Sequence, residues 1–125
     1  APVEVPILIL KKGQVLLTIR SRDFSFVLEE KLWTIFSLLE RYRIKTNLVH
    51  NSAVNLSLCV DDTWHIDKAV AALREAGFDV MKAVDMELLT IRGYTEPLFL
   101  KYAQIGPKVF IRQTTQSTVR LVRKR

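Results

Sequence analysis

Leu16 to Asp62 reads LLTIRSRDFSFVLEEKLWTIFSLLERYRIKTNLVHNSAVNLSLCVDD, and the spacing of its apolar residues changes twice along the way. Val15 to Ser21 is apolar and β-branched, which predicts a strand, and Lys12-Gly13-Gln14 supplies a turn before it. From Leu28 to Tyr42, the residues Leu28, Leu32, Ile35, Phe36, Leu39 and Tyr42 recur every three or four positions, so they share one face of a helix. Glu29 and Glu30 suit its positive N-terminal end, Arg41 and Arg43 its negative C-terminal end, and Ser25 is the candidate N-cap. Asn47 to Ser52 and Val54 to Val60 then read as two strands with a tight turn near Ser52 and Ala53. In the second, Val54, Leu56, Leu58 and Val60 alternate with Asn55, Ser57 and Cys59, the pattern of a hairpin with one buried face.

Beyond Asp62 the helical spacing returns. Ile66, Ala69, Val70 and Leu73 mark a helix over Trp64 to Ala76, Gly77 stands where a glycine ends a helix, and Asp79 to Val84 reads as a strand. The order strand, helix, strand, strand, helix, strand (βαββαβ) predicts an α+β, ferredoxin-like unit with two helices on one face of an antiparallel sheet. Outside it, Val5 to Leu10, Glu87 to Tyr94, Lys108 to Thr114 and Thr118 to Val122 look like strands, with a short helical turn around Leu98 to Ala103. They lack the helices of a second full copy and are expected to pair into a reduced second subdomain. The division expected is one domain over 12–86 and a remnant built from 1–11 and 87–125.

At 125 residues and 49% hydrophobic content, the chain is large enough to bury roughly two thirds of its unfolded surface without a covalent staple. A single cysteine, Cys59, forms no internal disulfide, and no apolar run approaches the ~20 residues of a membrane span. The expectation is a cytoplasmic protein with no membrane partner. Net charge is +6, yet residues 1 to 107 carry 13 basic and 13 acidic side chains, while Lys108 to Arg125 carries 6 basic and none acidic. The excess is confined to the tail, where the cluster Arg123, Lys124 and Arg125 reads as a solvated end rather than as a phosphate-binding face.

Catalytic signals are missing. Phosphoryl transfer needs a phosphate-cradling, usually glycine-rich backbone, and Gly13, Gly77, Gly93 and Gly106 are scattered singly. His50, His65 and Cys59 fall on different elements, so no spacing signals a metal site. Asp61 and Asp62 follow a strand and precede a helix, where acids favour the helix start. RNA binding by a ferredoxin-like sheet calls for aromatic residues on the third strand, and Val54 to Val60 has none. Neither catalysis nor nucleic acid is expected of this chain, and no cofactor.

Four segments in order carry a resemblance. LLTIRSRDFSF followed by KLWTIFSLLERYRIKTNLVHNSAVNLSLCVDD resembles the first ACT domain of aspartate kinases (aspartokinases), DMELLTIRGY (85–94) looks like the entry to their second ACT unit, and VFIRQTTQSTVRLV (109–122) looks like the closing hairpin of the monofunctional type. The resemblance implies a regulatory region that binds a pathway end product where ACT units meet, lysine being favoured and threonine the other candidate, and so controls the phosphorylation of aspartate. Matching positions nominate Asp23, Phe24, Ser25 and Phe26 on a loop, with Asn47, Leu48, Val49, Asn51 and Ser52 on a strand. Donors and acceptors set side by side there suit the ammonium and carboxylate of an amino acid. A homodimer through the ACT domains, a kinase domain upstream in the parent chain, and ATP and Mg for that kinase domain are also implied. The alternatives are a ferredoxin-like module whose role is only structural or dimerising and, ranked well below it, RNA binding.

Overall fold

The computed structural model describes residues 7–22, 29–52, 54–93, 108–115 and 117–124. Its elements are β1 (Ile7–Ser21), α1 (Glu29–Arg41), β2 (Thr46–Asn51), β3 (Asn55–Asp61), α2 (Ile66–Glu75), β4 (Phe78–Arg92), β5 (Val109–Thr115) and β6 (Thr118–Lys124). Hydrogen-bonded neighbours follow the order β2-β3-β1-β4-β6-β5. The chain forms two compact units, 15–84 and 1–14 with 85–125.

In the 15–84 unit the strand–helix–strand–strand–helix–strand order expected from the sequence is present. Val15, Leu17 and Ile19 of β1, Leu56, Leu58 and Val60 of β3, and Phe78 and Val80 of β4 alternate onto one face of the sheet. Ile35 and Leu39 of α1 and Ile66, Ala69, Val70 and Leu73 of α2 pack into the same cluster, with Leu32, Leu38 and Tyr42 at its margin. Burying each large aliphatic side chain contributes about 1.5–3 kcal/mol. Phe36, expected on the helix's inner face, is 37% exposed because the buried stripe runs through Ile35 and Leu39 and leaves it to one side.

Both helices end at a residue in the left-handed region. After α1, the Ile44 amide donates to the Leu39 carbonyl (2.9 Å) and the Arg43 amide to the Glu40 carbonyl (2.9 Å), with Arg43 in the left-handed region at φ 55°. Ile44 and Leu39 meet in the core, completing the motif. After α2 the corresponding left-handed residue is Gly77, at φ 103°, whose amide donates to Arg74 O (3.1 Å), as its position in the sequence foretold.

The sequence reading divided two strands that are continuous. Lys12-Gly13-Gln14 is not a turn: Gly13 lies within β1 at φ 64°, so the chain stays extended while one residue departs from the pleat. Asp79 to Val84 and Glu87 to Arg92 are one strand, β4, with Asp85 at φ 57°; aspartate tolerates this region better than most side chains. The predicted strand Val5 to Leu10 is seen from Ile7 onward, and the predicted turn of helix at 98–103 lies outside the described residues.

In the other unit, β6 pairs antiparallel with β4 and with β5. Leu89, Ile91, Val119 and Leu121 form a small core with Val109 against it. Within the basic tail Lys124 is exposed, as a solvated end would be, but Arg123 is not. Arg123 stands directly opposite Glu87 in the β4–β6 register, and its Nε donates to Glu87 Oε1 at 3.0 Å, with side-chain exposures of 15% and 8%. Strand pairing draws Arg123 inward because its partner charge is waiting there. Arg125 lies outside the described residues.

Two substitutions probe these features. A Cβ at Gly77 would meet no atom within 4 Å, so Gly77→Ala should cost only the backbone strain, about 1–2 kcal/mol in urea denaturation. Glu87→Ala would leave the half-buried Arg123 guanidinium without its counter-charge and should cost about 2 kcal/mol, with Glu87→Gln falling between it and the parent chain.

Candidate functional site

β2 is one of the two edge strands of the sheet, held on one side by β3 through the pairs Leu48↔Cys59, Val49↔Leu58, His50↔Ser57 and Asn51↔Leu56. The register shifts between Thr46 and Leu48, so Asn47 occupies a bulge. A bulge turns a side chain away from the regular alternation, and here it brings the Asn47 amide to the last residue of β3: Nδ2 donates to Asp61 Oδ1 at 2.7 Å. The Asp61 amide donates to the Lys45 carbonyl at 3.0 Å, fixing the strand ends together.

Sequence reasoning placed Asp61 at a helix start. It belongs instead to the end of β3, while α2 begins only at Ile66 and has Asp67 as its first-turn acid. The carboxylate therefore faces Asn47 rather than a helix dipole. Nothing short of the strand register would have revealed this, since the two residues are far apart in sequence and the bulge decides which side chains meet.

The nominated strand residues divide by direction. Val49 is 45% exposed and Asn51 is exposed, whereas Leu48 is 3% exposed and sends its side chain inside. Ser52 shapes the exit turn: its amide donates to Asn55 O (2.9 Å), and its Oγ donates to the same carbonyl and accepts from the Asn55 amide, both at 3.2 Å. The nominated loop residues Asp23, Phe24, Ser25 and Phe26 lie outside the described residues.

The flanks of that loop are tied down. Arg22 Nη2 donates to the Arg74 carbonyl at 2.7 Å, and Arg20 and Arg22 each reach Asp79 at 3.5 Å. Lys31 Nζ donates to Ser21 Oγ at 2.8 Å. On the sheet face opposite the helices, Thr18, Arg20, Asn55, Asp79 and Met81 line a cavity of about 140 Å³. Among the described residues, no three His, Cys, Asp or Glu side chains gather as a metal site, and no helix is long and apolar enough to cross a membrane.

Solved structures match this arrangement over nearly the whole chain. A domain assigned as the C-terminal regulatory domain of aspartate kinase from Porphyromonas gingivalis superposes with a TM-score of 0.74 at 22% identity, covering 96% of this chain and 86% of that one. The fold is that of aspartate kinase regulatory domains. Aspartate kinase from Clostridium acetobutylicum gives a TM-score of 0.76 at 15% identity over 94% of this chain and 30% of its own. E. coli aspartokinase III in its T state, in complex with lysine and aspartate, gives 0.71 at 19% identity over 97% of this chain and 31% of its own. The chain thus spans about a third of the length of those two kinases. No protein-family model matches it, and no curated sequence is significantly similar.

The Asn47–Asp61 bond joins a neutral amide to a carboxylate in a half-buried setting. Asn47→Ala and Asp61→Ala should therefore couple by about 1–2 kcal/mol in a double-mutant cycle read by thermal or urea unfolding.

Proposed function

We propose that this chain is the regulatory region of an aspartate kinase, and that it binds an end-product amino acid, lysine in preference to threonine, along the edge formed by β2. Two observations support this reading. The fold likeness covers nearly the whole chain, and one of its matches, E. coli aspartokinase III, is known both with lysine and aspartate in a T state and with aspartate and ADP in an R state. The second is the amide–carboxylate pair Asn47–Asp61 at the end of β2, which carries the observation furthest.

An ammonium group needs acceptors and a compensating charge. Asn47 donates its Nδ2 to Asp61 Oδ1, which fixes the plane of the amide beside the carboxylate. Asp61 adds the negative charge that an amide lacks. Val49 and Asn51 extend the same edge, and the loop holding Asp23, Phe24, Ser25 and Phe26 is the proposed second wall. Such an edge invites pairing with another copy, so the assembly proposed is a homodimer through the ACT domains. Effector binding then biases the parent enzyme between two arrangements, with a coupling of about 1–3 kcal/mol, and the ATP and Mg chemistry of aspartate phosphorylation belongs to a kinase domain upstream. A cytoplasmic location fits the buried free thiol of Cys59.

The test is isothermal titration of the 125-residue chain with lysine and with threonine, alongside sedimentation analysis. Lysine should bind to a dimer, and Asp61→Asn, which retains an acceptor for Asn47 but removes the charge, should weaken lysine at least tenfold while changing stability little. A folded dimer that binds neither amino acid would reduce the role to structural pairing.

A further inference from the structure

The unit containing β4, β5 and β6 carries a second constellation that shares no residue with the proposed effector site. Its registers place three rows of side chains across one sheet face: Leu88, Val122 and Ile111; Thr90, Arg120 and Gln113; Arg92, Thr118 and Thr115. The first row is buried. Beyond it the face becomes polar, and Arg92, Gln113, Thr115, Thr118 and Arg120 line an open depression of about 490 Å³.

Arg92 and Arg120 are diagonal neighbours on adjacent strands, with Cα atoms about 7–8 Å apart. Both are exposed. Like charges this close repel, and no carboxylate pairs with either guanidinium among the described residues. No acid stands in any of the three rows. Glu87 belongs to the alternate set of β4 side chains and is occupied by Arg123, and 108–125 contains no acid at all. What surrounds the two arginines is a set of donors, three threonine hydroxyls and an amide, next to an apolar row that limits water on one side.

We propose that this face binds a small oxyanion, a phosphate or a carboxylate group, clamped between Arg92 and Arg120. Guanidinium forks match the paired oxygens of either group, and Thr118 and Thr115 supply short donors to the remaining oxygens. A single anion would relieve the repulsion between the two cations and satisfy both, which a solvated basic strand would not require.

NMR titration of the isotope-labelled chain with sodium phosphate and, separately, with sodium succinate, at ionic strength held constant with sodium chloride, tests this. Saturable shifts of the amides from Thr90 to Arg92 and from Gln113 to Arg120 are expected, and the anion that saturates at lower concentration identifies the class. Arg92→Gln and Arg120→Gln should each weaken binding at least tenfold. Arg92→Lys, which keeps the charge but not the fork, should weaken it by less than Arg92→Gln. Arg112→Gln, in register with Leu121 on the other face, should leave it unchanged. Shifts no larger than those from chloride alone, or equal weakening by Arg112→Gln in well-dispersed spectra, would overturn the proposal in favour of general charge screening.

Discussion

The seam between two helices and three strands governs the 15–84 unit. Leu17, Ile19, Ile35, Leu39, Leu56, Leu58 and Leu73 are essentially without solvent contact, and each belongs to an element that presents an apolar face at only one phase. A slip of β3 by one residue would expose Leu56 and Leu58 and bury Asn55 and Ser57, at a cost no local preference could offset. That constraint fixes β3 between β1 and β2, and so leaves β2 at the edge.

The edge position brings chemistry with it. Because β3 is locked, β2 absorbs its mismatch in a bulge at Asn47, and the bulge sets the amide against Asp61. A regular ladder would give Asn47 an ordinary cross-strand neighbour. The same edge shows Val49 and Asn51 outward while retaining Leu48 inside, so side chains along this strand alternate between solvent and core.

The strands of the 85–125 segment follow a different rule. Their small apolar core of Leu89, Ile91, Val119 and Leu121 leaves charge to specify register: Glu87 and Arg123 meet across β4 and β6, while Arg92 and Arg120 gather on an acid-free face. Of the tail's basic residues, Arg123 is thereby half-buried against an acid while Arg120 stays exposed. Composition could count those charges but could not sort them, since their roles depend on which strand lies alongside.

The sequence by itself determined the elements of the 15–84 unit, because periods of two and of three to four residues follow from the geometry of strand and helix. It also marked Gly77 as a helix terminator. It divided β1 at Gly13 and β4 at Asp85, since a single left-handed residue looks the same whether the chain turns or continues extended. Only the tertiary structure decided that Leu48 faces inward, that Arg123 is half-buried against Glu87, and that Asp61 accepts from Asn47 rather than opening a helix. Each is a contact between strands that become neighbours only when the apolar faces are buried together, and no spacing along the chain records such a meeting.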